Sequence, residues 1–503
     1  MASRGREAFD GTELPADEDK NRPAFFVTPQ KKKCRTGLKR ENRWQKDLAT
    51  PENDASLENT QVKHFTLKLT AAATLAAAFS SAATAGGFML TEQSVAGLGR
   101  SYAGAGIVGD DLSAVWYNPA GMALLTGTAF QMGAVVADLD LPVTTERGQK
   151  ENGRKHGVPV PSMYLVHQIK DDMWFGFGVT VPYGMATEYN KNWELGDKGC
   201  NAEVKTFDFN PSVAMKLTDT LSFGAGVSLQ YVTAQFESTK TTAAGKMRVR
   251  LNADGWAWGG NLGFMWQPTE TVRVGLAYRS QVNHKADGYL QSDLEDGNGN
   301  VLARYRSDDG HAEMSGPHTV TLTGTWKATE ALRLSGLVRW ANWGSFQNLP
   351  ISGSSLKQAT AAAYYSGARS QGYSEAKAAA YANANSSSKT APEYKWKDSW
   401  LFTVGADYTI NEAVTVRGGL GYEISPVDDD KYRSATIPDA DRVWFSLGAT
   451  WRVNKQLQGD FGLAYLKGVG NKNLYDENTG KKLGKFDRLD AILWGAQFVY
   501  KFD

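Results

Sequence analysis

The feature that most constrains this chain is an alternation of apolar and polar residues that recurs from Thr128 to the end. In one stretch, Leu334 and Trp340 lie on one face, while Ser335 and Arg339 lie on the other. A period of two is typical of a β-strand with one apolar and one polar face. We therefore expect residues 128–503 to form an all-β structure.

The number and spacing of these stretches predict the architecture. Short connections such as 170–172 alternate with long ones such as 141–159, 291–310 and 346–395. Lipid offers no hydrogen-bond partner to the backbone, so a sheet in a membrane has to close on itself. The pattern predicts a fourteen-stranded antiparallel transmembrane β-barrel with a polar lumen. The stretches begin near Thr128, Val160, Met173, Glu203, Leu221, Gly255, Val272, His311, Leu332, Trp396, Val414, Arg442, Gln456 and Leu489.

Composition agrees with a barrel and excludes other classes. The mean hydropathy of −0.41 is too polar for a bundle of membrane helices. The chain has 52 Gly together with 15 Trp, 20 Tyr and 21 Phe, which suits strands with aromatic belts at the membrane interfaces. A formal net charge of +1 gives no reason to expect a nucleic-acid partner. The aromatic residues predicted at the interfaces are Trp340, Trp343, Trp451, Trp494 and Tyr500.

Residues 62–85 are predicted to be a signal peptide. Lys63 and Lys68 give a basic start, Leu69 to Phe79 is rich in Ala and Leu, and Ala83 to Ala85 is a small-residue cleavage site. This succession of a basic start, an apolar middle and a small-residue cleavage site disfavours a short buried helix. It places the mature N-terminus at Gly86. Residues 1–61 are highly charged and predicted to be disordered. We interpret them as a misassigned translation start, with an extended export leader as the alternative.

Residues 86–127 differ from the rest of the exported chain because they are rich in Gly and lack sustained alternation. Fourteen strands enclose a lumen that side chains alone do not fill. We therefore predict that this segment is a hatch that plugs the barrel.

Several motifs resemble the long-chain fatty acid transporter family of outer-membrane proteins (FadL/TodX). They occur in the family's order along the exported chain, which makes a chance match difficult. They are Gly97-Leu98-Gly99-Arg100-Ser101-Tyr102-Ala103-Gly104, Asp110-Asp111, Asn118-Pro119-Ala120, Tyr183-Gly184-Met185-Ala186-Thr187-Glu188-Tyr189-Asn190, Tyr278-Arg279-Ser280, Trp343-Gly344-Ser345-Phe346-Gln347 and Ile437-Pro438-Asp439-Ala440-Asp441-Arg442-Val443-Trp444.

The resemblance implies a location in the outer membrane of a Gram-negative bacterium and a ligand path through the barrel. Outer loops would gather the ligand, and it would bind near the start of the hatch. It would then leave sideways at a kink in the third strand, where Gly176, Gly178 and Pro182 suit a bend. Ordinary barrel curvature is the alternative explanation of those three residues.

Two sets of hatch residues are candidates for function. Asn118, Pro119 and Ala120 form either a gating element or a rigid turn. Gly86, Gly87, Phe88, Met89 and Leu90 are predicted to contact the ligand, although ordinary packing inside the plug explains them equally well.

These observations predict passive uptake of long-chain fatty acids. Uptake of aromatic or aliphatic hydrocarbons is the main alternative, because the fifth strand offers no basic residue between Tyr231 and Glu237 to meet a carboxylate. The hatch disfavours a general porin. We expect no enzymatic activity, cofactor or metal, since no nucleophile signature or metal-spaced His pair is present. The expected partners are the hydrophobic ligand, outer-membrane lipid and the barrel assembly machinery, with the protein as a monomer.

The long connection 346–395 contains Ala-rich runs at 361–365 and 376–382. Such runs favour helix. This loop is either a lid or an insertion.

Overall fold

The computed structural model describes residues 86–153 and 157–502. They form an all-β barrel of fourteen antiparallel strands, as predicted. The barrel closes because its first strand pairs with its last, from Ala129 opposite Lys501 to Asp140 opposite Asp490. The strands are β1 Thr128–Asp140, β2 Val158–Lys170, β3 Met173–Thr180 with Gly184–Glu188, β4 Asn201–Lys216, β5 Leu221–Thr242, β6 Gly245–Trp266, β7 Val272–Arg279 with Asn283–Glu295, β8 Val301–Ser315 with Thr319–Lys327, β9 Leu332–Ala341, β10 Ser399–Thr409, β11 Val414–Ile424, β12 Arg442–Arg452, β13 Leu457–Gly468 and β14 Asp490–Lys501.

Side chains alternate between lipid and lumen along these strands. On β12, Leu447 is 66% exposed whereas Ser446 is 4% exposed. The predicted interface aromatics Trp451, Trp494 and Tyr500 are exposed on the outer surface. The prediction for Trp343 is wrong, because this residue is fully buried in an aromatic cluster inside the protein. It follows β9 in a short 3₁₀ turn, where strand alternation no longer determines direction.

Strands β5 to β8 are longer than the sequence pattern predicted. β6 begins at Gly245 rather than near Gly255, and β8 begins at Val301 rather than near His311. The predicted loop 291–310 is largely a paired hairpin, in which Gln291 lies opposite Arg306. Apolar and polar residues alternate poorly in these extended strand ends, because a strand pair that lies outside the lipid does not need an apolar outer face.

Three strands are interrupted in the middle. The breaks lie at 181–183 in β3, 280–282 in β7 and 316–318 in β8. The break in β3 also marks the end of its pairing with β2. In the described residues, that ladder joins 163–170 of β2 to 173–179 of β3, and the second half of β3 pairs only with β4.

The segment 86–127 fills the lumen as a hatch. Its elements are short and mostly buried: helix α1 Val95–Leu98, helix α2 Ala114–Tyr117 and a 3₁₀ segment Pro119–Leu124. The Ser94 hydroxyl caps α1 by accepting a hydrogen bond from the Gly97 amide at 2.8 Å. The predicted leader and signal peptide lie outside the described residues, so the boundaries at 61 and 85 remain predictions.

The outer loops contain the remaining elements. The Ala-rich runs of the longest loop lie in helices, as predicted: α3 Ser354–Ser370 and α4 Glu375–Asn385. None of the helices in the described ranges is long and apolar enough to cross a membrane. The short elements are strands Pro142–Thr145, Lys150–Asn152, Ile351–Ser352, Lys389–Thr390, Asn473–Tyr475 and Lys482–Phe486, and 3₁₀ turns Gly196–Lys198, Trp343–Ser345 and Asp430–Tyr432.

Candidate functional site

The first residues of the hatch, Gly86–Gln93, form what we call the N-terminal segment. Phe88 is fully buried and packs edge-on against Trp343, with ring centroids 4.6 Å apart, and against Phe346 at 5.3 Å. Gly87 has φ of +75°, and a methyl group there would lie 2.7 Å from the Trp396 ring. Only glycine fits this position without displacing the aromatic cluster.

The N-terminal segment fills the interruption in β3. The Leu90 amide donates to the Pro182 carbonyl at 2.8 Å, and the Gly184 amide donates to the Phe88 carbonyl at 3.0 Å. These two bonds flank an antiparallel bridge between Met89 and Tyr183. The segment therefore acts as a short replacement strand, satisfying backbone groups that the break leaves unpaired.

Gln93 reinforces this closure with its side chain. Its amide nitrogen donates to the Val181 carbonyl at 2.7 Å, and its amide oxygen accepts from the Val181 amide at 3.3 Å. Tyr164 on β2 donates to the Gln93 carbonyl at 2.9 Å, so the segment also contacts the other side of the gap. No local pattern indicates the role of Gln93, because its partner lies 88 residues away.

The residues predicted to bend β3 occupy two different environments. Pro182 lies within the break itself. Gly176 and Gly178 lie earlier, where the strand is continuously paired on both sides. A methyl group at Gly176 would lie 2.4 Å from the Met122 sulfur, so this glycine allows the hatch to approach the wall. Pro182 is thus the one of the three that coincides with the interruption.

Asn118, Pro119 and Ala120 make a tight turn against β5 and β6. The Asn118 side-chain oxygen accepts from the Ala120 amide at 3.1 Å, and its nitrogen donates to the Phe264 carbonyl at 3.0 Å. A methyl group at Gly263 would lie 2.0 Å from the Asn118 oxygen. The barrel backbone therefore holds the turn closely. This geometry is compatible with both predicted roles, a gating element and a rigid turn.

A buried charged network, the hatch anchor, connects the middle of the hatch to β10, β11 and β13. Arg100 contacts Asp110 through both terminal nitrogens, at 2.7 and 3.0 Å, and reaches Asp407 at 3.3 Å. Arg417 lies 3.2 Å from Asp407 and 3.7 Å from Asp460. Burial alone would raise the pKa of Asp110, but the nearby guanidinium groups hold it well below its usual range.

A cavity of about 50 Å³ lies beside the N-terminal segment. Arg279 and Arg339 reach it from β7 and β9, which are separated along the chain, so no local sequence pattern links them. Arg279 stacks on Trp116 with its guanidinium carbon 3.2 Å from the ring centroid. The lining residues are Met89, Leu90, Trp116, Tyr117, Pro119, Pro182, Tyr183, Asn261, Leu262, Ala277, Tyr278, Arg279, Thr319, Thr321 and Arg339.

The five predicted ligand-contact residues lie in three different environments. Met89 and Leu90 line the cavity, whereas Phe88 is enclosed by the aromatic cluster. Gly86 and Gly87 lie among buried charged groups, since the Gly87 amide donates to an Asp439 carboxylate oxygen at 2.9 Å. Within the described part of the chain, no three His, Cys, Asp or Glu side chains are placed to hold a metal ion.

A lipid-facing barrel whose lumen is filled by its own N-terminal residues defines the class of a plugged outer-membrane β-barrel. Comparison with known proteins identifies the family. The chain belongs to the family described as "Outer membrane protein transport protein (OMPP1/FadL/TodX)", whose model matches residues 76–502. This confirms the predicted family and the location in the outer membrane of a Gram-negative bacterium. Members of this family are transport proteins.

Individual relatives agree with this assignment. The chain is 29% identical to a "Long-chain fatty acid transport protein" of Escherichia coli O6:H1, over 86% of this chain and 98% of that protein. It is 28% identical to "Outer membrane protein P1" of Haemophilus influenzae, over 88% of this chain and 100% of that protein.

Two solved structures share the fold. A Pseudomonas aeruginosa FadL homologue superposes with a TM-score of 0.69 and 22% identity, covering 83% of this chain and 100% of that one. The Pseudomonas putida toluene transporter TodX superposes with a TM-score of 0.58 and 17% identity, covering 78% and 94%.

Proposed function

We propose that this protein is a channel for passive uptake of long-chain fatty acids. Outer loops capture the ligand, the cavity beside the N-terminal segment binds it, and the gap in β3 releases it sideways into the membrane. The observation that carries this proposal is the position of the N-terminal segment. It closes a break in the barrel wall and lines a cavity that contains both apolar residues and two arginines.

The two arginines favour a ligand with a carboxylate. A guanidinium group binds a carboxylate through paired, charge-assisted hydrogen bonds, which a neutral hydrocarbon does not accept. Arg279 is 3.5 Å from the buried Asp208, and its Nε has no hydrogen-bond partner among the described residues. Arg339 donates to the Thr91 hydroxyl at 2.9 Å. Both side chains are therefore held in place at the cavity before any ligand binds.

The size of the cavity supports movement of the hatch during binding. A cavity of about 50 Å³ is much smaller than the ~300 Å³ or more of an ordinary ligand pocket. A fatty acid would therefore have to displace Met89 and Leu90 to enter. Arg339 links the two events, because it contacts Thr91 of the N-terminal segment and lies 3.7 Å from Glu423. A ligand carboxylate would compete with both groups for it.

Sideways release follows from the free energy of the alkyl chain in water. A ligand with roughly fifteen methylene groups would lose about 12 kcal/mol on entering the periplasm, at ~0.8 kcal/mol for each group. Passage directly into the bilayer avoids this cost and requires no energy source. In the described residues, residues 158–162 of β2 have no pairing with β3, so displacement of the N-terminal segment would leave an opening there.

The class of ligand is tested by measuring whether toluene or an alkane competes with oleate for binding to the detergent-folded protein. We expect tight oleate binding that neither hydrocarbon displaces. Arg339→Met should weaken oleate binding by about tenfold or more, the loss of ~1.4 kcal/mol or more of charged hydrogen bonding. Arg273→Met is the matched control, because this lumenal arginine bonds the Val108 carbonyl of the hatch outside the cavity. Preferential binding of the neutral compounds would support the hydrocarbon alternative.

The exit route is tested by cross-linking the N-terminal segment to β3. Met89 and Tyr183 are bridge partners without direct hydrogen bonds between them, a geometry that brings side chains close enough for a disulfide. A double Met89→Cys, Tyr183→Cys variant should lose uptake when oxidised and recover it on reduction, with each single variant as control. Undiminished uptake by the oxidised protein would rule out exit at this gap.

A further inference from the structure

Five buried or nearly buried charged side chains surround the start of the hatch. Glu92, Glu423 and Asp439 are 1%, 2% and 0% exposed, and Arg442 is 3% exposed. Arg339 completes the group, with 11% of its side chain exposed. We call this set the N-terminal charge cluster. It contains three carboxylates and two guanidinium groups, so it is one positive charge short of neutrality when all five are ionised.

Among the described residues, no neighbouring cation supplies the missing positive charge. Arg433 is the next cation and faces Asp439 and Asp441. It is already paired with Asp430 at 2.8 Å and donates to the Asn471 carbonyl at 2.9 Å. Asp441 is acidic as well, so including these residues leaves the surroundings negative.

The pairing inside the cluster is also incomplete. Arg339 and Arg442 each approach Glu423 no closer than 3.7 Å, which is beyond hydrogen-bond distance. One Glu423 oxygen and both Glu92 oxygens are buried without a hydrogen-bond partner among the described residues. Buried carboxylates in this state are destabilising unless a donor or cation reaches them.

The backbone nitrogen at the start of the N-terminal segment lies in this cluster. The Gly86 amide hydrogen-bonds Glu423. A methyl group at Gly86 would lie 2.8 Å from a Glu423 oxygen, and the next amide, that of Gly87, donates to Asp439 at 2.9 Å. Burial raises the pKa of Glu92 to about 7, and the neighbouring Glu423 carboxylate raises it as well, while Arg339 and Arg442 oppose the shift.

We propose that the α-ammonium group of Gly86, created when the signal peptide is removed, is the missing counter-charge of this cluster. The predicted cleavage site ends at Ala85, so processing converts the amide that contacts Glu423 into a cation with three donors. The charges of the cluster then balance. The N-terminal segment that closes the gap in β3 therefore becomes fully seated only in the processed chain.

The test measures the reactivity of the terminal amine. Mass spectrometry first establishes that the mature chain begins at Gly86. Folded protein is then acylated with an amine-reactive ester over a range of pH, and the N-terminal peptide is quantified. We expect the pH midpoint of labelling to lie at least about one unit above the ordinary α-amine range of ~7.7–8.0, with the ordinary midpoint restored after unfolding. Lys455, in an exposed turn, serves as the internal standard.

Substitution within the cluster makes the test specific. Glu423→Gln keeps the shape of the side chain but removes its charge, so labelling at neutral pH should rise by about tenfold per unit of pKa lost. Glu412→Gln, at an exposed turn, should change nothing. A melting curve followed by circular dichroism shows whether Glu423→Gln remains folded. If it does not, Asp439→Asn replaces it.

Insertion of two residues between Ala85 and Gly86 gives a second, independent measurement. The cleaved variant keeps a terminal amine, but the amine is displaced from Glu423. We expect ordinary labelling and faster hydrogen exchange at the Leu90 amide, which bonds Pro182. Three results would overturn the proposal: a mature chain that begins elsewhere, an ordinary labelling midpoint in the folded wild type, or a raised midpoint that persists in both the substituted and the extended variants.

Discussion

Two regions of the hatch are attached to the barrel by different kinds of interaction. The hatch anchor holds the middle of the hatch through buried ion pairs that join Arg100 and Asp110 to Asp407 on β10 and, through Arg417 on β11, to Asp460 on β13. The N-terminal segment, by contrast, is attached to β3 through backbone and amide hydrogen bonds and through the packing of Phe88. The anchor is thus electrostatic and fixed within the lumen, whereas the segment substitutes for a missing part of the wall.

The difference suggests how one plug both seals a pore and lets a ligand through. Separating buried ion pairs leaves uncompensated charges, which is strongly unfavourable. Replacing the contacts that Met89 and Leu90 make at the gap with an alkyl chain is far less unfavourable, because apolar surface remains buried. We expect the anchor to stay in place while the segment moves. Three substitutions test this contrast.

The largest effect is expected from Arg100→Ala. It removes the two-point contact to Asp110 and leaves Arg417 to compensate both Asp110 and Asp407, which should lower the free energy of unfolding by about 3–5 kcal/mol. Urea unfolding in detergent and single-channel conductance should show a less stable and leaky barrel. Arg488→Ala is the control, since Arg488 is 62% exposed in its pair with Asp140 and should cost ~1 kcal/mol or less. Equal effects of the two substitutions would contradict an electrostatic anchor.

The anchor should also respond to acid. The pKa of Asp110 is lowered in the folded protein, so its stabilising contribution is present above the ordinary aspartate pKa of about 3.9. That contribution is lost as the pH falls below this value towards the folded-state pKa. Wild-type protein should therefore lose stability on acidification, and Arg100→Ala should lose less.

A more local effect is expected from Phe88→Ala. The cavity left in the aromatic cluster should destabilise seating of the N-terminal segment by about 3 kcal/mol. Hydrogen exchange of the Leu90 amide should accelerate by ~100-fold while the melting temperature of the barrel changes little. Phe461→Ala, at a lipid-facing residue that is 57% exposed, is the matched control. A large drop in barrel melting would instead show that the segment and the barrel unfold as one unit.

The smallest effect is expected from Asn118→Ala. Loss of the cap to Ala120 and of the bond to the Phe264 carbonyl should cost about 1–2 kcal/mol of stability. Asn118→Asp retains the capping oxygen and removes only the donor, so it separates the two contributions. Oleate uptake by the two variants then distinguishes a rigid turn from a gating element. Uptake that changes much more than stability would favour gating.

Sequence reasoning predicted the strands best where lipid constrains them. β11 and β12 begin at Val414 and Arg442, as the alternation indicated. It failed for the extended ends of β6 and β8, because those residues lie where no apolar outer face is required. It also misplaced Trp343, whose neighbours are set by the fold of a loop rather than by strand period.

The candidate site was predicted only in part. A motif indicated the hatch turn at Asn118, and the glycines and proline of the third strand directed attention to Pro182, which lies in the interruption at 181–183. Arg279 belongs to the Tyr278-Arg279-Ser280 motif and Arg339 to the polar face of β9, but neither pattern indicates that both side chains line one cavity. Their convergence depends on the register between strands, which single-sequence patterns do not specify.

The sequence by itself determined the barrel, its strand number and the presence of a plug, because lipid imposes a two-residue period and closure of the sheet. Only the tertiary structure decided how that plug is used. It placed Met89 and Leu90 against the break in β3 and gathered charges from the hatch, β9, β11 and the start of β12 around Gly86. The Gly87 amide and its Asp439 partner are 352 residues apart, and a contact over that distance depends on the closed barrel rather than on any local pattern.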